Sequence, residues 1–446
     1  MIPYNILPGS GLKGSIILPG DKSIAHRAII LSAISSGKTV INNFPANEDC
    51  KASLEVFRNL GIKIKKDKSG KIIIFGKGLN GLNKPNGSLF IKESGTTFRL
   101  LLGILAAQRF EVKLRAGKAL SKRPMLRVIT PLRKMGALIS GKSIRLNNRI
   151  EEEYPPINIK GSELKGITYN MPIASAQVKS AILLAGLYAI GQTRIIEPIK
   201  TRDHTERMLN FFNSGIKHQG NAIVIKGGEG LSSSGKIYIP GDLSSAAFFM
   251  VAAAILKNSK ILIRMVSLNP TRLGIVTALK RMGADIEIQY QRLKSKETEP
   301  MGDILVKSSR LKGVRVLGKD MPFLIDELPI LMVAAACAKG KTVLEGVGEL
   351  RVKETDRIKS MVNNLKKMGA DIRVFKSGKS ENIVIHGVSQ LKGAKLKSFG
   401  DHRTAMSSII AGLAAEGKTS IDDVSCINKS FPEFLSILKV AQHPAL

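Results

Sequence analysis

Pro19-Gly20-Asp21-Lys22-Ser23-Ile24-Ala25-His26-Arg27 follows the apolar run Ile16-Ile17-Leu18 and precedes a long apolar stretch, Ala28 to Ile34. This order reads as a strand, a Pro-Gly turn and a helix start. Asp21 or Ser23 is suited to cap that helix. Lys22 and Arg27 then stand beside the unpaired N–H groups of its first turn, a combination that suits an anion. By itself the stretch reads equally well as an ordinary capped helix with solvated charges. Its repetition along the chain decides between the two.

After the first helix come Gly37-Lys38-Thr39, a strand from Val40, a second helix pattern from Leu54 to Leu60, then Gly61 and a further strand. The same order restarts at Glu93-Ser94-Gly95-Thr96-Thr97, where the second helix ends at Lys134-Met135-Gly136-Ala137. It restarts again at Ala174-Ser175-Ala176-Gln177, with a second helix expected from Thr205 to Ser214, closed by Gly215. Pro240-Gly241-Asp242-Leu243-Ser244 restates the opening turn almost residue for residue. A fifth copy opens at Ile325-Asp326-Glu327-Leu328-Pro329 and a sixth at Gly400-Asp401-His402-Arg403-Thr404, the last helix lying near Phe434 to Val440. The openings at 21, 93, 174, 242, 326 and 401 are 72, 81, 68, 84 and 75 residues apart. Six such units, with a glycine stopping the helices, imply an α/β protein built by repetition. The return of Pro-Gly-Asp after three units implies two similar halves. Residues 1–20 with 242–446 form one, and residues 21–241 the other.

Composition narrows the function classes. A chain of 446 residues exceeds one core and implies two or three domains. Apolar runs such as Ala246 to Leu256 fall short of the roughly 20 residues of a membrane helix. Met1-Ile2-Pro3-Tyr4 opens no signal peptide, so a cytoplasmic protein is expected. Cys50, Cys337 and Cys426 have no metal-ligand spacing, which fits a reducing compartment and no metal. The net charge of +34 admits nucleic acid, anionic small substrates or a lysine-rich background. The basic residues are spread along the chain, Trp is absent and aromatics are 5%, unlike a nucleic-acid reader with its basic tracts and stacking platforms. Gln289 to Thr298, irregular and charged, is expected to be an exposed hairpin or loop.

Several short motifs carry candidate chemistry. If the first-helix starts converge, Lys22, Ser23, Arg27, Arg99, Lys179, Asp326 and Arg403 focus charge on a ligand bearing phosphate and carboxylate. Leu350 to Arg357 is dense in charge, with Lys353 and Arg357 four apart on one helical face and Glu354 adjacent as a proton carrier. Lys122-Arg123-Pro124-Met125 fixes an arginine before a rigid proline. Thr201-Arg202-Asp203-His204-Thr205-Glu206 has the look of a capping box. His26 and His402 lack metal-ligand companions, and neither a P-loop nor Gly-x-Gly-x-x-Gly is present. No metal or nucleotide cofactor is indicated.

Taken in order, these motifs resemble the 5-enolpyruvylshikimate-3-phosphate (EPSP) synthase family almost end to end. The carriers are Pro19 to Arg27, Ser94-Gly95-Thr96-Thr97 with Arg99, Lys122 to Met125, Ala174 to Lys179, and Arg202 to Glu206. Leu350 to Arg357, Asp401-His402-Arg403 and Ser430-Phe431-Pro432 complete the set. The resemblance implies two domains, each an inside-out α/β barrel of three βαβαββ-type repeats, with the active site in the cleft between them. It implies transfer of the enolpyruvyl group of phosphoenolpyruvate to the 5-hydroxyl of shikimate 3-phosphate, with release of phosphate through a tetrahedral intermediate. The expected acceptor contacts are Lys22, Ser23, Arg27, Ser175, Ala176, Gln177, Arg202, Asp326 and Lys353. The expected phosphoenolpyruvate contacts are Lys22, Gly95, Arg123, Gln177, Arg357, Arg403 and Lys429. Lys22, Asp326 and Glu354 are the expected catalytic groups. No cofactor, nucleic acid or membrane is implied, and a monomer is expected.

Two departures stand out, and one family feature is kept. Glu93 occupies a place where the family usually has Asn, and a carboxylate there is unfavourable unless it points away or meets a cation. Ala176 replaces a Ser of some members. Gly95 keeps the open form of the inhibitor-contacting position, so inhibition by glyphosate in competition with phosphoenolpyruvate is expected. Two rival readings share features of the chain. UDP-N-acetylglucosamine enolpyruvyl transferases have the same fold but use a loop cysteine, and Arg115 to Lys122 contains none. A basic RNA-binding or RNA-cyclase-like protein would account for the charge.

Overall fold

The computed structural model of the chain describes residues 3–146, 149–233, 235–291, 299–378 and 380–443. Gln289 and Tyr290 end a strand, Asp285–Tyr290. The rest of the expected loop, from 292 to 298, lies outside the described residues. Among the described residues the helices fall into six pairs: α1 (Lys22–Ile34) and α2 (Glu48–Asn59), α3 (Gly95–Leu105) and α4 (Leu126–Lys134), α5 (Ala176–Gly186) and α6 (His204–Phe211), α7 (Leu243–Ile255) and α8 (Gly274–Arg281), α9 (Leu328–Ala336) and α10 (Arg357–Lys367), α11 (His402–Leu413) and α12 (Phe434–Gln442). None is long and apolar enough to cross a membrane.

The two helices of a pair differ because their sequences do. The first is apolar all round, so it has no face to offer water and must be enclosed. Every residue of α1 from Ile24 to Ile34 is buried, as is every residue of α9. The second is amphipathic and lies outside. Helix α10 buries Ile358, Met361 and Leu365 and exposes Lys359, Lys366 and Lys367. The enclosed helices pack tightly. A Cβ on Gly103 of α3 would come 2.1 Å from the Ala181 carbonyl oxygen of α5, so only glycine permits that approach.

Each pair carries its own small sheet with a fixed pattern. A leading strand runs parallel to a second strand, which pairs antiparallel with one arm of a hairpin. In the second repeat, Leu89–Phe90 leads Glu111–Arg115, which pairs with Arg149–Lys160 of the hairpin. The register stacks Leu89, Leu114 and Ile157 on one face, and all three are buried. Among the described residues the last repeat shows no hairpin. Tyr4–Ile6, from the other end of the chain, takes its place antiparallel to Thr419–Ile421. Likewise the first repeat takes its leading strand from Lys236–Tyr238, and the fourth takes Lys13–Ile17.

Contacts divide the chain into two compact units. One runs from Lys22 to Ile239 and takes in Glu299; the other holds the rest. Each has an apolar core of its own. Four outer helices end with a glycine in the left-handed region, Gly61, Gly136, Gly283 and Gly369. At α2 the Gly61 N–H reaches Arg58 O and the Ile62 N–H reaches Phe57 O, a Schellman closure. Helix α6 departs from expectation. It starts at His204 and stops at Phe211, and Asn213 rather than Gly215 makes the closing turn, at φ 58°. The Asn213 N–H reaches Asn210 O and the Ser214 N–H reaches Leu209 O. Asparagine tolerates this conformation, so the helix closes two residues before the glycine.

Candidate active site

In the unit from Lys22 to Ile239, the starts of α1, α3 and α5 carry the charge. Lys22 Nζ donates to Asp49 Oδ2 at 3.0 Å, both side chains under one-fifth exposed. Asp49 stands in the first turn of α2, where a carboxylate meets the positive end of the helix dipole. Below this pair runs a buried polar chain. His26 Nδ1 lies 2.8 Å from Ser53 Oγ, which lies 2.6 Å from Thr97 Oγ1, itself 2.6 Å from Ser94 Oγ, the α3 cap. Arg27 is buried. Its guanidinium donates to Thr205 Oγ1 at 2.6 Å, to Ser180 Oγ at 3.0 Å and to the Ser23 carbonyl at 2.9 Å.

Arg99 and Arg123 stand beside the α3 start. Arg99 donates to Gln177 Oε1 at 2.6 Å and to the Pro124 carbonyl at 3.1 Å. Gln177 in turn donates to Thr96 Oγ1 at 3.1 Å. Arg123 Nη1 lies so close to Gly95 that a Cβ there would be 2.7 Å away. Glu93 is turned onto main chain. It accepts from the Ala119 and Leu120 N–H groups of the loop before Arg123. Ser175 caps α5, with Ala176 the first helical residue. One turn on, fully buried Lys179 reaches Glu197 at 3.0 Å and Glu206 at 2.6 Å. Burial pushes the Glu206 carboxyl up, and Lys179 only partly offsets this. These ion pairs hold the 197–206 segment that carries half-buried Arg202.

In the other unit, Asp326 is the focus. Its Oδ1 accepts from Lys353 Nζ at 3.2 Å and Arg357 Nη1 at 3.5 Å. Arg357, almost fully buried, also reaches Asp401 Oδ2 at 2.9 Å and Glu354 Oε2 at 2.5 Å. Burial alone would lower the Arg357 pKa; the Asp401, Glu354 and Asp326 carboxylates more than reverse this, and it is pushed up. Arg403 donates to the Asp326 carbonyl at 2.8 Å, and Lys429 to the Gly400 carbonyl at 3.2 Å. Lys353 and Arg357 do not share a helical face as expected. Helix α10 begins at Arg357, capped by Asp356, and Lys353 and Glu354 lie in the turn before it. They meet at Asp326 because the turn folds back.

The twin Pro-Gly-Asp turns lie against each other. The Asp21 N–H donates to Pro240 O at 2.8 Å and the Asp242 N–H to Pro19 O at 3.1 Å. Buried Arg272 joins them, 3.2 Å from Asp21, 3.9 Å from Asp242 and 3.4 Å from Glu327. Burial pushes the Asp242 carboxyl up to about 6, Asp21 adds repulsion, and Arg272 and Arg403 pull the other way. Sequence reasoning passed over Asp49, Arg272 and Glu327, because nothing local marks a residue whose partners lie tens or hundreds of positions away. It also read His204 as part of a cap. Asp203 occupies the cap position, but its Oδ1 accepts from Arg207 Nε at 2.9 Å rather than from the first turn, and His204 Nδ1 lies 2.6 Å from buried Glu299.

Six repeats in two α/β units, with arginines and lysines gathered at helix starts beside carboxylates, make an arrangement suited to small anions. A sequence model described as EPSP synthase (3-phosphoshikimate 1-carboxyvinyltransferase) matches residues 6–438. The chain belongs to the EPSP synthase family. It is 46% identical to the 3-phosphoshikimate 1-carboxyvinyltransferase of Petrotoga mobilis, over 97% of this chain and 98% of that one. It is 47% identical to the protein of the same name from Geobacter metallireducens, over 98% and 99%. A solved structure of EPSP synthase from Acinetobacter baumannii superposes with a TM-score of 0.84 at 44% identity, covering 98% of each chain.

Proposed function

We propose that this chain transfers the enolpyruvyl group of phosphoenolpyruvate to the 5-hydroxyl of shikimate 3-phosphate and releases phosphate, as a 3-phosphoshikimate 1-carboxyvinyltransferase. The likeness to relatives of that name over nearly the whole chain carries the reading. Residues 21–241 and residues 1–20 with 242–446 are its two domains, and both sets of charged residues serve one pair of substrates. Ser23, Arg27, Ser175, Ala176, Gln177 and Arg202 hold shikimate 3-phosphate. Gly95, Arg123, Gln177, Arg357, Arg403 and Lys429 receive phosphoenolpyruvate, and Lys22 meets both substrates.

The acceptor oxygen attacks C2 of phosphoenolpyruvate, and C3 takes a proton. Asp326, with Lys353 in hydrogen-bond reach, takes the hydroxyl proton. Glu354 supplies the proton to C3. It is paired with Arg357 without substrate, and a substrate carboxylate that claims Arg357 raises its proton affinity. Elimination then returns the C3 proton to Glu354 and expels phosphate, with Lys22 stabilising the charge on the leaving group.

The protein works in the cytoplasm as a monomer; sedimentation far above its 48.2 kDa would overturn the monomer. A phosphate-release assay tests the reaction. Release from phosphoenolpyruvate with shikimate 3-phosphate, and none with UDP-N-acetylglucosamine, is the expected result. Release with the nucleotide sugar alone, or with neither, sinks the reading.

A further inference from the structure

Glu93 stands two residues before Gly95, at the turn into α3. A carboxylate facing the α3 start would repel an anionic substrate, yet both of its oxygens are turned onto main chain. Oε1 accepts from the Ala119 N–H at 3.2 Å and Oε2 from the Leu120 N–H at 2.7 Å. The backbone beside it continues the seam. The Ile91 N–H donates to Arg115 O at 2.9 Å and the Gly117 N–H to Lys92 O at 2.6 Å. Position 117 must be glycine for this fit, since a Cβ would lie 2.4 Å from Glu93 Oε1. The seam leads to Arg123. Leu120 takes one bond from its own N–H to Glu93, and its carbonyl accepts from the Arg123 N–H at 3.0 Å. The guanidinium of Arg123 then reaches over Gly95.

We propose that Glu93 is a positioning residue for phosphoenolpyruvate: it holds the loop from Ala116 to Lys122 so that Arg123 is kept at the α3 start before substrate arrives. The proposal rests on the function given above. Hydrogen bonds to a carboxylate are roughly twice as strong as neutral ones, so two of them add to the anchorage that buried Leu120 and the Gly117–Lys92 backbone bond give this loop. A cation ordered in advance loses less entropy on binding. The side chain that would otherwise oppose the substrate is thereby neutralised by the loop it holds.

The test uses Glu93→Ala and Glu93→Gln in the full chain, read by hydrogen exchange over residues 117–123 and by steady-state kinetics with each substrate varied. In Glu93→Ala, exchange in that segment rises about tenfold and KM for phosphoenolpyruvate rises about tenfold, while kcat and KM for shikimate 3-phosphate stay within about twofold. Glu93→Gln, which keeps one acceptor oxygen, falls between. Unchanged exchange overturns the proposal, as does faster exchange with an unchanged KM for phosphoenolpyruvate. A parallel rise of both KM values would mark a merely structural role. If the unaltered chain turns over neither substrate, the functional reading fails and the substrate half of the proposal fails with it; the exchange measurement still reports separately whether Glu93 holds the loop.

Discussion

Replacing Asp242 by Asn isolates the charge at the paired Pro-Gly-Asp turns. Asparagine keeps the oxygen that caps α7, which accepts from the Ser244 N–H at 2.8 Å. What it removes is a carboxylate that burial and Asp21 push up to about 6, from an ordinary value of 3.8. Between these values the folded chain binds more protons at this site than the unfolded chain. Its contribution to stability therefore falls as pH rises from about 4 to about 6. A shift of about two units at ~1.4 kcal/mol each gives a cost of roughly 2–3 kcal/mol above pH 6. Asp242→Asn escapes that cost. Its stability relative to the natural chain should be unchanged near pH 4 and higher by up to roughly 2–3 kcal/mol at pH 7.5. Urea unfolding of both proteins across pH 4 to 8, compared as differences, measures this. A difference that stays flat with pH, or grows in favour of Asp242 as pH rises, would mean that Arg272 more than compensates the ionised carboxylate, and would refute the reasoning.

Two further outcomes follow from the charge clusters. Lys22→Ala and Glu354→Ala should cut kcat by several orders of magnitude, far more than they weaken shikimate 3-phosphate binding, whereas Arg202→Ala should chiefly weaken that binding; calorimetry beside kinetics separates them, and the reverse pattern would show the roles to be misassigned. Gly95→Ala places a methyl 2.7 Å from Arg123 Nη1, so the guanidinium must shift. KM for phosphoenolpyruvate should rise about tenfold and inhibition by glyphosate should weaken in step; an unchanged KM would mean that Arg123 does not meet that substrate.

The architecture was legible because it is periodic. Apolar stretches without a polar face, such as Leu328 to Ala336, can only be enclosed helices, and glycine after an amphipathic run, as at Gly61, marks where the outer helices close. Helix α6 escaped this rule because Asn213 adopts the left-handed turn two residues before Gly215. The site was less legible than the fold. Helix starts drew notice to Lys22, Arg27 and Arg403, but their partners cannot be read locally. Asp49 is 27 residues from Lys22, and Asp21 is 251 residues from Arg272. The same holds for Lys353, placed beside Asp326 by a turn that helical spacing does not foresee. The net charge of +34 said little, because the cations given roles in the proposed reaction are among the few that are half-buried or buried, such as Lys22, Arg123 and Arg357, while most of the described lysines lie on the surface.

The borrowed strands bear on how the chain reaches this fold. Every described strand and helix of the unit from Lys22 to Ile239 comes from one continuous stretch, so all its sheets can pair as soon as Tyr238 is synthesised, and only Glu299, the partner of His204, arrives later. The other unit is split. Lys13–Ile17 must wait for Lys260–Arg264, and Tyr4–Ile6, made first, pairs with Thr419–Ile421, made almost last. Closing such long loops from an open chain is entropically costly and slow. Folding of the continuous unit shortens the task, because it brings Asp21 back beside Pro240, where their backbones bond. Damage to the core of the early unit should therefore delay the pairing of Tyr4–Ile6 with Thr419–Ile421.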